Sequence, residues 1–127
     1  MKFLLDTHTF LWFISGDNLL SKRAKDAIES AESHSYLSIA SLWEIGIKTR
    51  LNKLNIGMPF KDLKKQIDKN GFEILPVLFS HIEIISKLPV HHQDPFDRLL
   101  IAQCKTDQLT FITKDEKIKP YNIQTLW

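Results

Sequence analysis

The apolar run Phe3-Leu4-Leu5 is continuous, not alternating, and it stops at an acid, Asp6. A strand that is apolar on both faces needs a packed layer on each side, as in a parallel sheet between helices. Asp6-Thr7 offers an N-cap to a helix carrying Phe10, Leu11, Phe13 and Ile14, which Gly16 stops. Ser21 starts a second helix through about Glu32, with Ala24, Ala27, Ile28 and Ala31 at helical spacing. Tyr36–Ile39 is the second predicted strand, and a helix from Ala40 to Leu51 follows. Residues 52–59 carry turn chemistry bounded by Gly57 and Pro59, ahead of an amphipathic helix over Phe60–Asn70. Phe72–Leu75 is a third strand stopped by Pro76, and Ser80 caps a short helix that ends at Pro89. Asp94 opens another long helix, Leu109–Thr113 is a fourth strand, and Asn122–Trp127 adds a fifth at the sheet edge. Strands alternating with helices imply a parallel α/β sheet covered on both faces.

A chain of 127 residues is expected to form a single domain, 1–127, with a real core. Its formal charge of 17 − 15 = +2 is mildly basic and leaves a polyanionic partner open. One cysteine, Cys104, excludes an internal disulfide and a cysteine-based zinc cluster, and fits a reducing cytoplasm. The start of the chain lacks the pattern of a secretory signal, and no apolar run approaches the ~20 residues of a membrane span. The expected location is the cytoplasm.

Four acids stand where such a sheet gathers ligands, at strand ends and in adjoining helices: Asp6, Glu44, Asp97 and Asp115. Two converging carboxylates repel by roughly 4 kcal/mol at 4 Å and an effective dielectric near 20. A fold that collects several therefore usually places a cation among them, and oxygen-only ligation suits Mg²⁺ or Mn²⁺. Each acid also has a plain structural role open to it. Asp6 is an N-cap candidate. On a helical wheel Ile39, Leu42, Trp43 and Gly46 share a face, and Glu44 lies at its boundary, where it would pair with Lys48. Asp94 and Pro95 fit the N-cap and N1 positions, and Asp97 at N3 is able to close a capping box. Asp115 and Glu116 follow a strand as turn acids, and neither would attract notice without the other three. His91 and His92 precede Asp94 in a loop that would bring one of them near a phosphate for acid–base work, but a solvent-exposed pair is the favoured expectation, while His8 is an outer-contact candidate. A receiver-type signalling module fits poorly, because neither Tyr36–Ile39 nor Phe72–Leu75 ends in Asp.

With these residues assembled, the chain resembles the PIN-domain ribonucleases, specifically the VapC-type toxins. The matching segments are Leu4-Leu5-Asp6-Thr7-His8, Ser41 to Lys48, Asp94 to Gln103 and Ile112-Thr113-Lys114-Asp115. Each is weak alone, but together they stand in the family's order and spacing. The resemblance implies a three-layer α/β/α sandwich with a central parallel sheet, and an Mg²⁺- or Mn²⁺-dependent ribonuclease. It implies metal-binding and catalytic roles for Asp6, Glu44, Asp97 and Asp115, an RNA substrate, a homodimer, and silencing by a cognate antitoxin. An inactive interaction scaffold is the competing expectation, and the presence of all four acids argues against it. Lys48, Arg50, Lys53, Arg98, Lys114, Lys117 and Lys119 lie near the proposed mouth as RNA-contact candidates. Trp12 is expected either exposed, as a partner contact, or partly buried against a neighbouring helix.

Overall fold

The computed structural model describes residues 1–127. The first strand, β1 (Lys2–Leu5), lies at the centre of a five-stranded sheet. It pairs in parallel with β2 (His34–Ser38) on one side and with β4 (Thr110–Ile112) on the other. Outside these lie β3 (Glu73–Leu75) and β5 (Thr125–Leu126), also parallel, in the order β3-β2-β1-β4-β5. Side chains alternate across each strand. Phe3, Leu5, Leu37 and Ile112 therefore enter one core, while Leu4 and Phe111 enter the other.

The first core is covered by α1 (Thr7–Ser15), α2 (Lys22–Glu29) and α4 (Asp62–Lys69), through Phe10, Ala24, Ile28, Leu63 and Ile67. The second is covered by α5 (Phe79–Lys87) and α6 (Pro95–Asp107), with Leu100, Ile101 and Cys104 inside. Between them α3 (Ile39–Arg50) sends Ile45 into the first core. This is an α/β/α sandwich on an all-parallel sheet. No helix is long and apolar enough to cross a membrane.

Several boundaries differ from the sequence expectation. Ile39 begins α3 and does not extend β2, because Ser38 caps the helix by accepting the Ala40 N–H. The second helix ends at Glu29 and not at Glu32, and α4 begins at Asp62 and not at Phe60, which remains exposed. Ser80 is not the cap of α5; Leu78 precedes the helix, and its N–H is accepted by Nδ1 of the buried His81. The other ring nitrogen, Nε2, lies 3.3 Å from Asp107 and ties α5 to the end of α6.

The buried face of α3 is rotated from the one its wheel suggests. Ala40, Ser41, Glu44 and Ile45 are buried, whereas Ile39, Trp43 and Ile47 are exposed. Polar residues go inward here because they satisfy one another: Thr7 Oγ1 contacts both Ser41 Oγ and Glu44 Oε1 at 2.9 Å.

A clamp fixes the loop that leads into α6. The half-buried guanidinium of Arg98 donates to the carbonyls of Leu88, Pro89 and His92 and to the Tyr121 hydroxyl. Tyr121 in turn accepts the backbone N–H groups of His91 and His92, at 2.9 and 2.6 Å. Arg98 is thereby committed to the fold, where a planar fork reaches several carbonyls that a lysine ammonium would not. Arg98→Lys is expected to lower stability by about 2 kcal/mol in urea unfolding, the scale of lost charge-assisted hydrogen bonds. A variant as stable as the parent but weaker in nucleic-acid binding would instead make Arg98 a substrate contact.

Candidate active site

The register of the three central strands builds the site. Leu5 is the partner of both Leu37 and Ile112, so the residues that follow, Asp6, Ser38 and Thr113, emerge side by side at the carboxyl edge. Asp6 stands at the N-cap of α1 without a side-chain capping hydrogen bond. Its carboxylate instead accepts the Thr113 hydroxyl at 2.7 Å, and its N–H donates to the Ile112 carbonyl at 3.0 Å. Ser38 launches α3, and within two turns Glu44 joins Asp6 in the same cleft.

Glu44 is 4% exposed, far from the open-surface position that would make its pairing trivial. One oxygen accepts the Thr7 hydroxyl, and the other pairs with Lys48, the expected i,i+4 partner. Asp94 caps α6 through a single oxygen that accepts the N–H groups of Phe96 and Asp97. The capping box open to Asp97 does not form, because the Asp94 N–H goes to His92 Nδ1. The Asp97 carboxylate is left for the cleft. Asp115 splits its oxygens: Oδ1 accepts the Lys117 N–H and caps a 3-10 helix (Glu116–Tyr121), and Oδ2 meets His92 Nε2 at 2.9 Å.

These side chains line one cleft of about 550 Å³, formed by Asp6, His8, Trp12, Glu44, Lys48, Asp94, Asp97, Lys114, Asp115 and Glu116. Glu116 reaches its rim, but the side chain is largely exposed and paired with Lys119 at 2.6 Å. Trp12 is half-buried, edge-on to Trp127 at 5.9 Å and the same distance from the His8 ring.

The expectation for the histidine pair is wrong for one member. His91 is exposed, but His92 is buried, with Nε2 3.0 Å from Asp97 and 2.9 Å from Asp115. His92, Asp97 and Asp115 together offer atoms all within 4.8 Å of one another. The sequence carried one usable sign of this. His92 lies two residues before a helix cap, close enough for its ring to meet the first turn.

The PIN-domain family model matches residues 3–123. The chain belongs to that family. Solved structures of the same fold include VapBC2 from Rickettsia felis bound to a promoter DNA fragment, at TM-score 0.72 and 14% identity, covering 99% of this chain and 98% of that one. A toxin-antitoxin complex from Klebsiella pneumoniae is similar at TM-score 0.66 and 17% identity, over 98% and 95% of the two chains. FitAcB from Neisseria gonorrhoeae is similar at TM-score 0.62 and 18% identity, over 98% and 96%. No curated protein matches the chain in sequence. PIN domains are nucleases.

The electrostatics of this PIN domain show what gathering the acids costs. Burial pushes the Asp97 carboxyl up from 3.8 to about 8, and the charges of Asp6, Asp94, Glu44 and Asp115 add to the effect. Asp6 is also raised, chiefly by desolvation and against the opposing Thr113 hydrogen bond. The Lys48 ammonium is raised by its hydrogen bond to Glu44, with Asp94 and Asp97 contributing.

The folded value for Asp97 lies above the unfolded one, so the fold favours the protonated acid. The contribution of Asp97 to stability is fullest below pH ~4 and is lost as pH rises toward 8. In metal-free protein Asp97→Asn is expected to raise the melting temperature at pH 8 by about 5 °C or more, with the gain closing toward pH 4. Thermal melts monitored by fluorescence across that range test this; parallel pH curves for parent and variant would contradict it.

Proposed function

We propose that this PIN domain is a metal-dependent endoribonuclease that hydrolyses RNA phosphodiester bonds and acts as the toxin of a toxin–antitoxin pair. The observation that carries the reading is the cleft itself. Asp6, Glu44, Asp97 and Asp115 line it together, Lys48 pairs with one of them, and burial with the neighbouring negative charges makes Asp97 a weaker acid. The donor set fits Mg²⁺ or Mn²⁺, because it is all oxygen and its outer atoms are already oriented by the hydroxyls of Thr7 and Thr113.

Asp6, Glu44 and Asp97 would hold the ion, with Asp115 completing the set directly or through water. When bound, such an ion lowers the pKa of a water and steadies charge on the scissile phosphate. A carboxylate of the same set accepts the proton of the attacking water. Lys48 and the exposed Lys114, both on the cleft, supply positive charge where a phosphate backbone would lie.

Two apolar surfaces suit the protein partners. A cleft of about 190 Å³ lined by Leu11, Trp12, Ile14, Leu54, Ile56 and Met58 shares His8 and Trp12 with the acidic cleft, and an antitoxin segment docked there would cover the active-site rim. The exposed stripe Ile39, Trp43 and Ile47 on α3 suits a second copy in a homodimer. The Klebsiella neighbour, a toxin-antitoxin complex, supports the antitoxin reading.

Asp6→Asn or Asp97→Asn is expected to reduce RNA cleavage by at least ~10²-fold, since an amide keeps the size but loses the charge that binds the cation. Asp94→Asn retains most activity, because Asn caps a helix nearly as well. The assay is cleavage of mixed RNA and DNA substrates with Mg²⁺, Mn²⁺ or chelator, mapping the ends. Cleavage by Asp97→Asn at the parental rate would overturn the site. Activity confined to DNA, with no partner recovered on co-expression with a neighbouring small reading frame, would favour a housekeeping nuclease.

A further inference from the structure

The His92 ring is held more firmly than a loop side chain ordinarily is. Its backbone N–H and that of His91 both donate to Tyr121, and its carbonyl accepts from Arg98. The ring itself has a partner at each nitrogen. Nδ1 accepts the Asp94 N–H at 3.2 Å, and that contact decides the tautomer, since a backbone amide only donates. The lone pair is therefore at Nδ1 and the proton at Nε2.

A protonated Nε2 is a donor and has no lone pair for a cation. It lies between Asp97 Oδ2 at 3.0 Å and Asp115 Oδ2 at 2.9 Å, on carboxylates carried by different elements. Asp97 sits in the first turn of α6, and Asp115 lies beyond β4 with its other oxygen on the Lys117 N–H. The hydrogen bond runs to Asp115 Oδ2, and Asp97 Oδ2 lies beside it in contact with the same nitrogen.

We propose that His92 is a positioning residue of this nuclease: its Nε2–H, hydrogen-bonded to Asp115 and in contact with Asp97, sets the spacing of the two acids for the cation, while the ring stays outside the coordination shell. The proposal rests on the reading of the cleft as a metal-dependent nuclease site. The competing role, His92 as a ligand through Nε2, requires the proton to move to Nδ1. There it would face the Asp94 N–H donor to donor.

The test combines imidazole ¹⁵N spectra of the full chain, metal-free and with Mg²⁺, with calorimetric titration of Mn²⁺ into parent, His92→Ala, His92→Gln and Asp97→Asn. The expected spectrum keeps the Nε2–H tautomer in both states. His92→Ala is expected to weaken Mn²⁺ binding by roughly 10–100-fold, the usual effect of losing an outer partner of a ligand. His92→Gln, whose amide still donates, recovers part of that loss, which a role in folding alone would not produce. Loss of the Nε2 proton on adding Mg²⁺, or parental affinity in His92→Ala, overturns the proposal while leaving the metal site standing. Parental affinity in Asp97→Asn overturns the metal site and the proposal with it. The spectra of the parent decide the tautomer even where a variant folds poorly.

Discussion

Parallel pairing of β1 between β2 and β4 is the constraint on which the cleft depends. Because Leu5 is in register with both Leu37 and Ile112, three chain segments leave the sheet at one level. Asp6 and Thr113 then lie within hydrogen-bond reach although they are 107 residues apart. Ser38, at the same level, starts the helix that carries Glu44. A register slip of one residue would send Leu5 to the opposite face and separate these groups. The buried apolar residues of the central strands thus do more than fill the core; they index the acids.

Those acids oppose the fold that collects them. Asp97 and Asp6 both hold their protons more tightly than free carboxyls do, first because they are desolvated. The structure offsets this with donors of three kinds: hydroxyls from Thr7 and Thr113, the Lys48 ammonium, and the His92 Nε2–H. Together these donors leave the carboxylates oriented. Stability is given up locally to keep a preorganised anionic pocket, and the Arg98–Tyr121 clamp fixes the adjoining loop.

Much of this architecture was legible along the chain. The continuous apolar run before Asp6, the Asp94-Pro95 helix start and the spacing of Leu99, Leu100 and Ile101 are local signals, and the elements lie close to where those signals put them. The starts of α3 and α5 differ from the expected ones because Ser38 caps the first and the His81 ring takes the Leu78 N–H at the second. The buried face of α3 was misjudged because hydrophobicity alone ranks Trp43 inward and Glu44 outward. The hydroxyls of Thr7 and Ser41 reverse that order, and they approach from outside the window of a helical wheel.

The sequence by itself determined the alternation of strands and helices, the parallel sheet it demands, and the positions of the acids relative to strand ends. Those properties depend on residues within a few positions of one another. Tertiary structure alone decided how the side chains are used. It freed Asp97 from a capping box by giving the Asp94 N–H to His92. It turned Arg98 into a clamp and left Glu116 paired with Lys119 at the rim while Asp115 met His92. A side chain's role is fixed by which partner reaches it, and here several of those partners come from 23 to 107 residues away.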